Sequence, residues 1–302
     1  MDFRGIFTAL VTPFRGDQLD EEGLAQNIRA QIKAGITGIV LLGTTGETPT
    51  LTEEEQEKII RIGVREAKNK TLVIVGTASN STQETIALTK KAKELGADAA
   101  LIVAPYYNKP TQEGLFLHYE AIATQVDIPI LVYNIQGRTG VNIETATLLR
   151  IAALPNIVGV KEASGNIGQI ADVIQIVKGR YPSFSVLSGD DAVALPLIAL
   201  GGDGLISVAS NLMPERVVAL IDAALDGRFD DSRKIHEDLL PFFRLQFVET
   251  NPIPIKEAMQ LCGLPAGNCR LPLCGLQQKN REKLAELLKE MGLLLENKMS
   301  MR

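Results

Sequence analysis

The feature of this 302-residue chain that most constrains its fold is a regular alternation of apolar, strand-like runs with helix-like segments. Most of the apolar runs are rich in Val, Ile and Leu and have no polar face, which is typical of parallel strands covered on both sides. Eight such units in succession match the repeats of a closed (β/α)8 TIM barrel, which we predict for residues 1–228. The predicted strands are Ile6–Phe14, Gly38–Gly43, Leu72–Thr77, Ala99–Tyr107, Pro129–Asn134, Ile157–Ala163, Ser185–Gly189 and Leu205–Ala209.

Helix start signals separate these strands. Asp20 is suited to cap the first helix, and Thr52 with Glu55 has the pattern of a capping box, in which each side chain accepts a hydrogen bond from the other residue's backbone NH. Ser81 with Glu84 repeats that pattern. An open doubly wound sheet is the alternative fold, but the chain has neither GxGxxG after the first strand nor a GxxxxGK[ST] loop.

Beyond Gly227 the strand pattern stops. Residues 229–302 are predicted to form a C-terminal helical appendage on the barrel, with a frayed tail from Glu296. The predicted helices are Asp230–Phe247, Ile255–Cys262 and Gln277–Gly292. The segment Asn251-Pro252-Ile253-Pro254 is expected to break the chain between the first two.

Composition argues against two classes of function. The net charge is -5 and acidic and basic residues are interleaved, so the basic stripe of a nucleic-acid binder is missing. No window approaches the roughly 18 apolar residues of a spanning helix, and the N-terminus shows neither a basic leader nor a small-residue cleavage site. We therefore expect a cytoplasmic protein without a nucleic-acid or membrane partner.

The cysteines and histidines do not suggest a metal site or a disulfide framework. Cys262, Cys269 and Cys274 are odd in number and contain no CxxC pair, and the chain has only two histidines. Reduced thiols and no dedicated metal are the expectation.

Lys161 ends the predicted strand Ile157–Ala163 with an amine. A buried ammonium is costly unless it is paired or loses its proton, and desolvation frees the nitrogen lone pair for a Schiff base with a carbonyl substrate. Strand alternation places Gly159 on the same face, where we expect it to clear space beneath the amine. The alternative is a lysine that extends into solvent from the strand end.

Polar residues gather at the carboxyl ends of the predicted strands, where active sites of such barrels lie. They are Gly43-Thr44-Thr45-Gly46-Glu47, Pro105-Tyr106-Tyr107-Asn108, Tyr133-Asn134 with Arg138, Lys161, Ser188-Gly189-Asp190-Asp191 and Ile206-Ser207. This clustering favours a covalent role for Lys161 over the solvent-exposed alternative.

The polar segments differ in how far they point to chemistry. Thr44 and Thr45 offer hydroxyls and backbone NH groups that suit a small carboxylate, although the same motif occurs in ordinary strand-to-helix turns. The phenol of Tyr133 is suited to relay protons near Lys161 or simply to pack. Arg138, in a loop, is suited to bind a carboxylate bidentately or to lie solvated at the surface.

Two further features receive structural interpretations. Asp190 and Asp191 have no evident third metal ligand, so we expect the pair to cap a helix. His118 falls in a helical stretch and is expected to pack or face solvent rather than to catalyse.

Five motifs together resemble the pyruvate-dependent class I aldolases of the dihydrodipicolinate synthase and N-acetylneuraminate lyase family over nearly the whole chain. They are Gly43-Thr44-Thr45-Gly46-Glu47, Tyr133-Asn134, Arg138-Thr139-Gly140, Gly159-Val160-Lys161-Glu162-Ala163 and Asn251-Pro252-Ile253-Pro254-Ile255-Lys256. The consecutive threonines and the Arg138 segment favour the synthase branch of this family.

The resemblance implies that Lys161 condenses with pyruvate, whose carboxylate is held by Thr45 and nearby backbone NH groups. Gly189 and Ile206 would shape the same pocket. The resulting enamine would attack the aldehyde of aspartate semialdehyde, and closure on the substrate amine would give the cyclic hydroxytetrahydrodipicolinate.

The resemblance also implies the remaining roles. Tyr133 would relay protons through Thr44 to Tyr107, which would reach in from a neighbouring subunit, and Arg138 would hold the semialdehyde carboxylate. A homotetramer of tight dimers and no external cofactor are implied as well.

Two departures from the family pattern bear on these roles. Gln136-Gly137 replaces a segment that usually contains proline, so we expect the Arg138 loop to be looser. A possible regulatory site is formed by Asn80, Glu84 and Tyr106, which match a site where lysine inhibits some members; two histidines of sensitive bacterial members are replaced here by Glu53 and Gln56. The sequence leaves regulation by lysine open.

Two other functions remain as alternatives. Another keto-acid aldolase, such as N-acetylneuraminate lyase, would keep the Schiff base and change the aldehyde. A non-catalytic barrel that binds a keto acid ranks low, because such a protein would be expected to lack Lys161 or Tyr133, and both are present.

Overall fold

Eight parallel strands close into a barrel, which confirms the fold predicted from the alternating pattern. The structure is a computed structural model, and it describes residues 1–294; the tail from Glu296, expected to fray, lies outside the described residues. The barrel strands are β1 Gly5–Ala9, β4 Gly38–Leu41, β5 Leu72–Gly76, β6 Ala99–Val103, β7 Ile130–Asn134, β8 Ile157–Glu162, β9 Ser185–Ser188 and β10 Gly204–Ser207, and an antiparallel pair is formed by β2 Phe14–Arg15 and β3 Gln18–Leu19. Strand β1 pairs with both β4 and β10, so the barrel has no open edge.

Helices cover the barrel and extend it at the C-terminus. They are α1 Glu21–Lys33, α2 Glu53–Ala67, α3 Thr82–Glu94, α4 Gln112–Gln125, α5 Gln136–Thr139, α6 Thr145–Ile151, α7 Ile167–Asp172, α8 Ala194–Ala199, α9 Pro214–Leu225, α10 Phe229–Leu245, α11 Ile253–Leu261 and α12 Gln278–Glu290. Helix α7 continues as a wider π-helical stretch, Val173–Lys178. The last three helices confirm the predicted helical character of the chain after residue 229 and lie within two residues of the predicted bounds.

Several strands end earlier than predicted. Strand β1 stops at Ala9 and β6 stops at Val103, although the apolar runs continue beyond both. After β6, Pro105 has no backbone NH to offer a neighbouring strand, and Tyr107 adopts a left-handed backbone with φ of 72°. The chain therefore leaves the sheet before the tyrosines, which become part of a loop.

Helix capping follows the sequence signals with one exception. Thr52 and Glu55 form the full capping box, and Asp20 accepts a hydrogen bond from the backbone NH of Gly23. The prediction that Ser81 and Glu84 repeat the box is only half right. The Ser81 hydroxyl accepts a hydrogen bond from the backbone NH of Glu84, but the reciprocal bond is not made. The Glu84 carboxylate instead accepts a hydrogen bond from the Ser79 hydroxyl at 2.5 Å, because the backbone NH of Ser81 donates to that same hydroxyl at 3.2 Å.

Strand alternation divides the apolar side chains into two cores. One core fills the barrel interior, and the other lies between the strands and the surrounding helices. The interior core consists of Phe3, Phe7, Ala9, Val40, Ile74, Ala99, Leu101, Leu131, Tyr133, Leu187 and Ile206. Because the interior is packed with side chains, it is a core and not a pore, and chemistry is confined to its ends.

His118 packs inside the helical layer, as predicted. Its side chain is 4% exposed, Nδ1 lies 2.9 Å from the Thr82 hydroxyl, and the ring meets Tyr119 edge-on. Burial lowers the pKa of His118 from 6.5 to about 4. The neutral imidazole is therefore the form that the folded chain accommodates.

This burial predicts a specific loss of stability in acid. Because the folded-state pKa lies below the unfolded value of 6.5, the penalty is absent above that pH and grows as the pH falls towards about 4. Between about pH 7.5 and about pH 5 we expect the free energy of unfolding to fall by about 2 kcal/mol more in the wild type than in His118→Gln. Urea unfolding at both pH values measures the difference, and equal losses in the two proteins would contradict it.

Candidate active site

Lys161 and Tyr133 face each other at the carboxyl end of the barrel. They are register partners on the adjacent strands β8 and β7, and both side chains belong to the barrel interior. The Lys161 Nζ lies 4.3 Å from the centroid of the Tyr133 ring, and the two residues are 6% and 7% exposed. The lysine therefore points inward, and the solvent-exposed alternative is wrong.

Burial makes the Lys161 amine easier to deprotonate. Desolvation lowers the pKa of Lys161 from 10.5 to about 8, the negative charge of Asp191 opposes this shift, and the positive charge of Arg138 adds to it. About one tenth of the amine is then neutral near pH 7, compared with a few parts in ten thousand for an ordinary lysine. The neutral amine is the form that attacks a carbonyl carbon.

Tyr133, unlike the partly deprotonated Lys161, keeps its proton at neutral pH. Burial raises the pKa of its phenol from 10 to about 12, although the Arg138 charge and the Thr44 hydroxyl both act to lower it. The phenol therefore stays protonated at neutral pH and is able to donate a proton beside the amine.

The two threonines lie on a short 3-10 turn, Thr44–Gly46, that directly follows β4. Thr45 is buried, and its hydroxyl accepts a hydrogen bond of 3.0 Å from the side-chain amide of Asn251. The backbone carbonyl of Asn251 in turn accepts a hydrogen bond of 3.2 Å from Arg138. Asn251 thus connects the threonine turn with the segment that carries Arg138.

Sequence reasoning missed this role of Asn251. It was interpreted only as the start of a chain break, because Pro252 and Pro254 dominate the local pattern. Its place in one of the five motifs that carry the family resemblance is the one signal in the sequence that points to it.

Arg138 lies on a regular turn and not in an irregular loop, which corrects the expected local structure. Helix α5 is a single turn that ends at Gly140 with φ of 75°. The Thr139 hydroxyl hydrogen-bonds the carbonyls of Ile135 and Val141, which anchors the turn at both ends without a proline. The guanidinium remains at the exposed side of the barrel mouth.

Gly189, and not Gly159, makes room for the Lys161 side chain. A methyl group at Gly189 would lie 2.9 Å from Cε of Lys161 and 2.7 Å from Cβ of Ala163. A methyl group at Gly159 would instead lie 2.4 Å from the carbonyl of Ser185. The prediction for Gly159 is wrong because that residue allows close approach of the β9 backbone and has no part in clearing the amine.

Ile206 lies on β10 in the interior core and is fully buried. Its register partner across the strand pair is Phe7. Together with Gly189 it borders the interior on the side of Lys161 opposite to Tyr133.

The two aspartates after β9 differ in environment. Asp190 caps the next turn by accepting a hydrogen bond from the backbone NH of Ala192, as predicted. For Asp191 the capping interpretation is incomplete, because its buried carboxylate also accepts hydrogen bonds from the Ser207 hydroxyl at 2.5 Å and the Gln246 amide at 2.9 Å. Burial raises its pKa. This carboxylate cross-links the ends of β9 and β10 with α10.

The remaining predicted residues lie outside this group. Tyr107 is 88% exposed and Tyr106 is 38% exposed, so in the single chain neither tyrosine is buried beside Lys161. Glu84 borders a separate cavity of about 210 Å³ between α2 and α3. The cavity is also lined by Glu53, Gln56, Glu57 and Lys91.

Within residues 1–294, no group of three His, Cys, Asp or Glu side chains is placed to hold a metal ion. In the same part of the chain, no helix is long and apolar enough to cross a membrane.

Comparisons with known proteins show similarity over nearly the whole chain. The family model described as Dihydrodipicolinate synthetase family matches residues 2–291. The 4-hydroxy-tetrahydrodipicolinate synthase of Protochlamydia amoebophila is 56% identical over 292 residues, which cover 96% of this chain and 97% of the relative. The crystal structure of dihydrodipicolinate synthase from Thermotoga maritima matches with a TM-score of 0.95 at 45% identity, over 97% of this chain and 100% of that chain. A structure described as the first monomeric dihydrodipicolinate synthase variant matches with a TM-score of 0.95 at 45% identity, over 97% and 98% of the two chains.

The contact between Gly189 and Lys161 predicts the effect of one methyl group. In Gly189→Ala we expect the Lys161 side chain to be displaced and its adduct with a small 2-keto acid, trapped with borohydride, to form at least about tenfold more slowly. Gly179→Ala is the matched control, because a methyl group there meets nothing within 4 Å. Thermal unfolding establishes that both variants are folded, and a folded Gly189→Ala that reacts at the wild-type rate would contradict this role.

Proposed function

The chain belongs to the dihydrodipicolinate synthetase family, and we propose that Lys161 carries the reaction of that family by forming a Schiff base with pyruvate. The chain is a lyase of the class I aldolase type. It condenses pyruvate with L-aspartate 4-semialdehyde to give 4-hydroxy-tetrahydrodipicolinate in lysine and diaminopimelate biosynthesis. The observation that carries the assignment of Lys161 is its buried amine, which lies over the Tyr133 ring with a pKa of about 8.

The covalent steps use the neutral amine first. Nζ of Lys161 attacks the keto carbon of pyruvate, and the carbinolamine loses water once its hydroxyl receives a proton. The protonated imine then acts as an electron sink, so that loss of a proton from the methyl group gives an enamine. The enamine carbon attacks the semialdehyde carbonyl, and attack of the substrate's own amine on the imine carbon closes the ring and releases the lysine.

Protons for these steps pass through Tyr133 in our proposal. Its phenol stays protonated and lies against the amine, and the Thr44 hydroxyl lies next to it. Tyr107 would complete the relay from a neighbouring subunit, which suits a side chain that is 88% exposed in the single chain.

The pyruvate carboxylate is assigned to the turn that carries Thr45. The buried Thr45 hydroxyl and the backbone NH groups at the start of the turn are donors of the kind that hold a small anion, whereas the NH groups of Gly46 and Glu47 close the turn itself. Gly189 and Ile206 would border this pocket, and the space that Gly189 leaves for the lysine supports that assignment.

Arg138 is assigned to the carboxylate of the semialdehyde. Its guanidinium lies at the mouth of the barrel and is tied to the carbonyl of Asn251, so it is oriented before substrate arrives. The anchoring of α5 through Thr139 supports this role despite the missing proline.

Because the amine supplies the electron sink covalently, we propose that no external cofactor takes part. We also propose a cytoplasmic location, in line with the thiols at Cys269 and Cys274. Residues 1–228 would carry the catalytic groups, and residues 229–302 would form the helical region that supports them.

A homotetramer of tight dimers is proposed for the assembly. Tyr106 and Tyr107 expose aromatic surface beside the barrel mouth, where a partner subunit would complete the proton relay. Ile167 of α7 and Leu200, which directly follows α8, expose a second set of apolar side chains on helices that pack together. Two separate apolar surfaces are what a dimer of dimers requires.

For regulation, Asn80, Glu84 and Tyr106 are proposed to bind lysine. The Glu84 carboxylate borders a cavity that also contains Glu53, and these two carboxylates suit an ammonium group. Glu57 in the same cavity is paired with Lys91 at 3.0 Å.

The covalent assignment predicts a single labelled residue. Reduction with borohydride in the presence of pyruvate is expected to leave a pyruvyl adduct on Lys161, found by peptide mass mapping, and no adduct in Lys161→Ala. The exposed Lys58→Ala is the control and should label normally. Labelling at another lysine, or none, would overturn the assignment.

The proposed role of Arg138 predicts a separation of the two substrates. In Arg138→Ala we expect the KM for aspartate semialdehyde to rise at least tenfold, roughly the loss of one charge-assisted contact, while pyruvate adduct formation stays within about threefold. The adduct is measured at about pH 9, above the Lys161 pKa of about 8, so that loss of the Arg138 charge does not change the neutral fraction greatly. The exposed Arg61→Ala serves as control, and equal damage to both steps would refute the role.

A further inference from the structure

Two charged residues of the motifs that carry the family resemblance, Glu47 and Lys256, take no part in the steps above. They nevertheless form an ion pair in which Nζ of Lys256 lies 2.6 Å from Oε1 of Glu47, with side chains 1% and 0% exposed. No other ion pair within residues 1–294 is as deeply buried; the exposed fractions elsewhere are 10% or more. A pair removed this completely from water calls for a physical reason, because both charges lose their hydration.

Every polar atom of the pair is used. The Lys256 ammonium also donates to the backbone carbonyls of Thr12 at 3.0 Å and Asn268 at 3.1 Å. The second oxygen of Glu47 accepts a hydrogen bond of 2.9 Å from the backbone NH of Arg270. The ammonium thus has three acceptors in fixed directions, so the pair defines a geometry as well as a charge balance.

The ion pair lies at the end of the threonine turn. Glu47 directly follows the turn Thr44–Gly46 and adopts a left-handed backbone with φ of 55°, which is unfavourable for a residue other than glycine. The Thr12 hydroxyl, whose own backbone carbonyl binds Lys256, donates to the carbonyl of Gly46 at 2.7 Å. Glycine would adopt this backbone more easily, so the use of glutamate indicates that its side chain is needed there.

We infer that the Glu47–Lys256 pair is a positioning device, which holds the turn of Thr44 and Thr45 at a fixed distance from Lys161 and thereby sets the affinity for the pyruvate carboxylate. Neither residue touches substrate in this account. The inference rests on the proposed function, because it assumes that the threonine turn binds pyruvate.

The pair belongs to a larger set of contacts between the C-terminal region and the barrel mouth. Asn251, five residues before Lys256, donates to the Thr45 hydroxyl. Arg270 reaches Glu55 at the start of α2 and the carbonyl of Thr50. The threonine turn is therefore held from its C-terminal side by a segment that is more than 200 residues away in sequence.

The test compares Glu47→Gln and Lys256→Met with Glu257→Gln. Glu257 is the neighbour of Lys256 on α11 and forms an ion pair with Arg281 of α12, so it controls for loss of any charge from this helix. We expect both positioning variants to raise the KM for pyruvate at least tenfold, since a displacement of about 1 Å is able to cost up to 100-fold. The KM for aspartate semialdehyde should change less than about threefold, and Glu257→Gln should keep both constants near wild type.

A second measurement separates positioning from simple destabilisation. The double variant Glu47→Gln with Lys256→Met leaves no uncompensated buried charge, so its thermal midpoint should recover towards wild type. Its KM for pyruvate should nevertheless stay raised, because the turn is no longer fixed. A KM that recovers together with the thermal midpoint would overturn the inference.

Borohydride trapping at saturating pyruvate distinguishes failure of the inference from failure of the proposed function. If Lys161 is labelled in all folded variants while the KM for pyruvate is unchanged in Glu47→Gln and Lys256→Met, the positioning role is wrong and the Schiff base stands. If the wild type itself is not labelled at Lys161, the proposed function is wrong and the inference falls with it. Where Lys256→Met does not fold, the milder Glu47→Gln decides the question.

Discussion

Desolvation of one amine inside a closed ring of strands is the constraint on which the rest of the site depends. Lys161 loses water because β8 lies between two paired neighbours and its inward face meets a packed apolar interior. A charged amine is disfavoured there, so the pKa falls to about 8, mainly through desolvation and in part through the positive charge of Arg138. The same burial raises the pKa of Tyr133, because the neutral form of a phenol is the protonated one.

The outward face of the same strands maintains this arrangement. Asn134 and Glu162 follow Tyr133 and Lys161 directly, point away from the interior, and hydrogen-bond each other at 3.1 Å. A polar pair immediately beside Tyr133 and Lys161 thus helps to fix the register of β7 against β8. Alternation along a strand therefore serves two purposes at once, because Tyr133 and Lys161 meet on the inward face and the aligning pair lies on the outward face.

The sequence was sufficient to predict the barrel and the placement of Lys161 and Tyr133 side by side at its carboxyl end, because both depend on local patterns. Apolar runs identified the strands, and the rule that active sites lie at strand ends selected Lys161, Tyr133 and the threonines. The misassigned role of Gly159 and the missed role of Asn251 depend instead on contacts between distant segments. Helix or strand periodicity does not predict which backbone segment will approach a glycine, nor that residues 47 and 256 will form an ion pair. Strand ends were overestimated because apolar composition continues after the backbone has left the sheet.

The distance in sequence between Glu47 and Lys256 has a consequence for how the protein is made. A ribosome delivers the threonine turn early and its anchor 209 positions later, after all eight barrel strands have emerged. An incomplete nascent chain therefore contains all eight strand segments but leaves the carboxylate of Glu47 without its counter-ion. Synthesis of the C-terminal segment is the event that completes the mouth of the barrel, so truncated translation products would carry Lys161 without a finished binding turn.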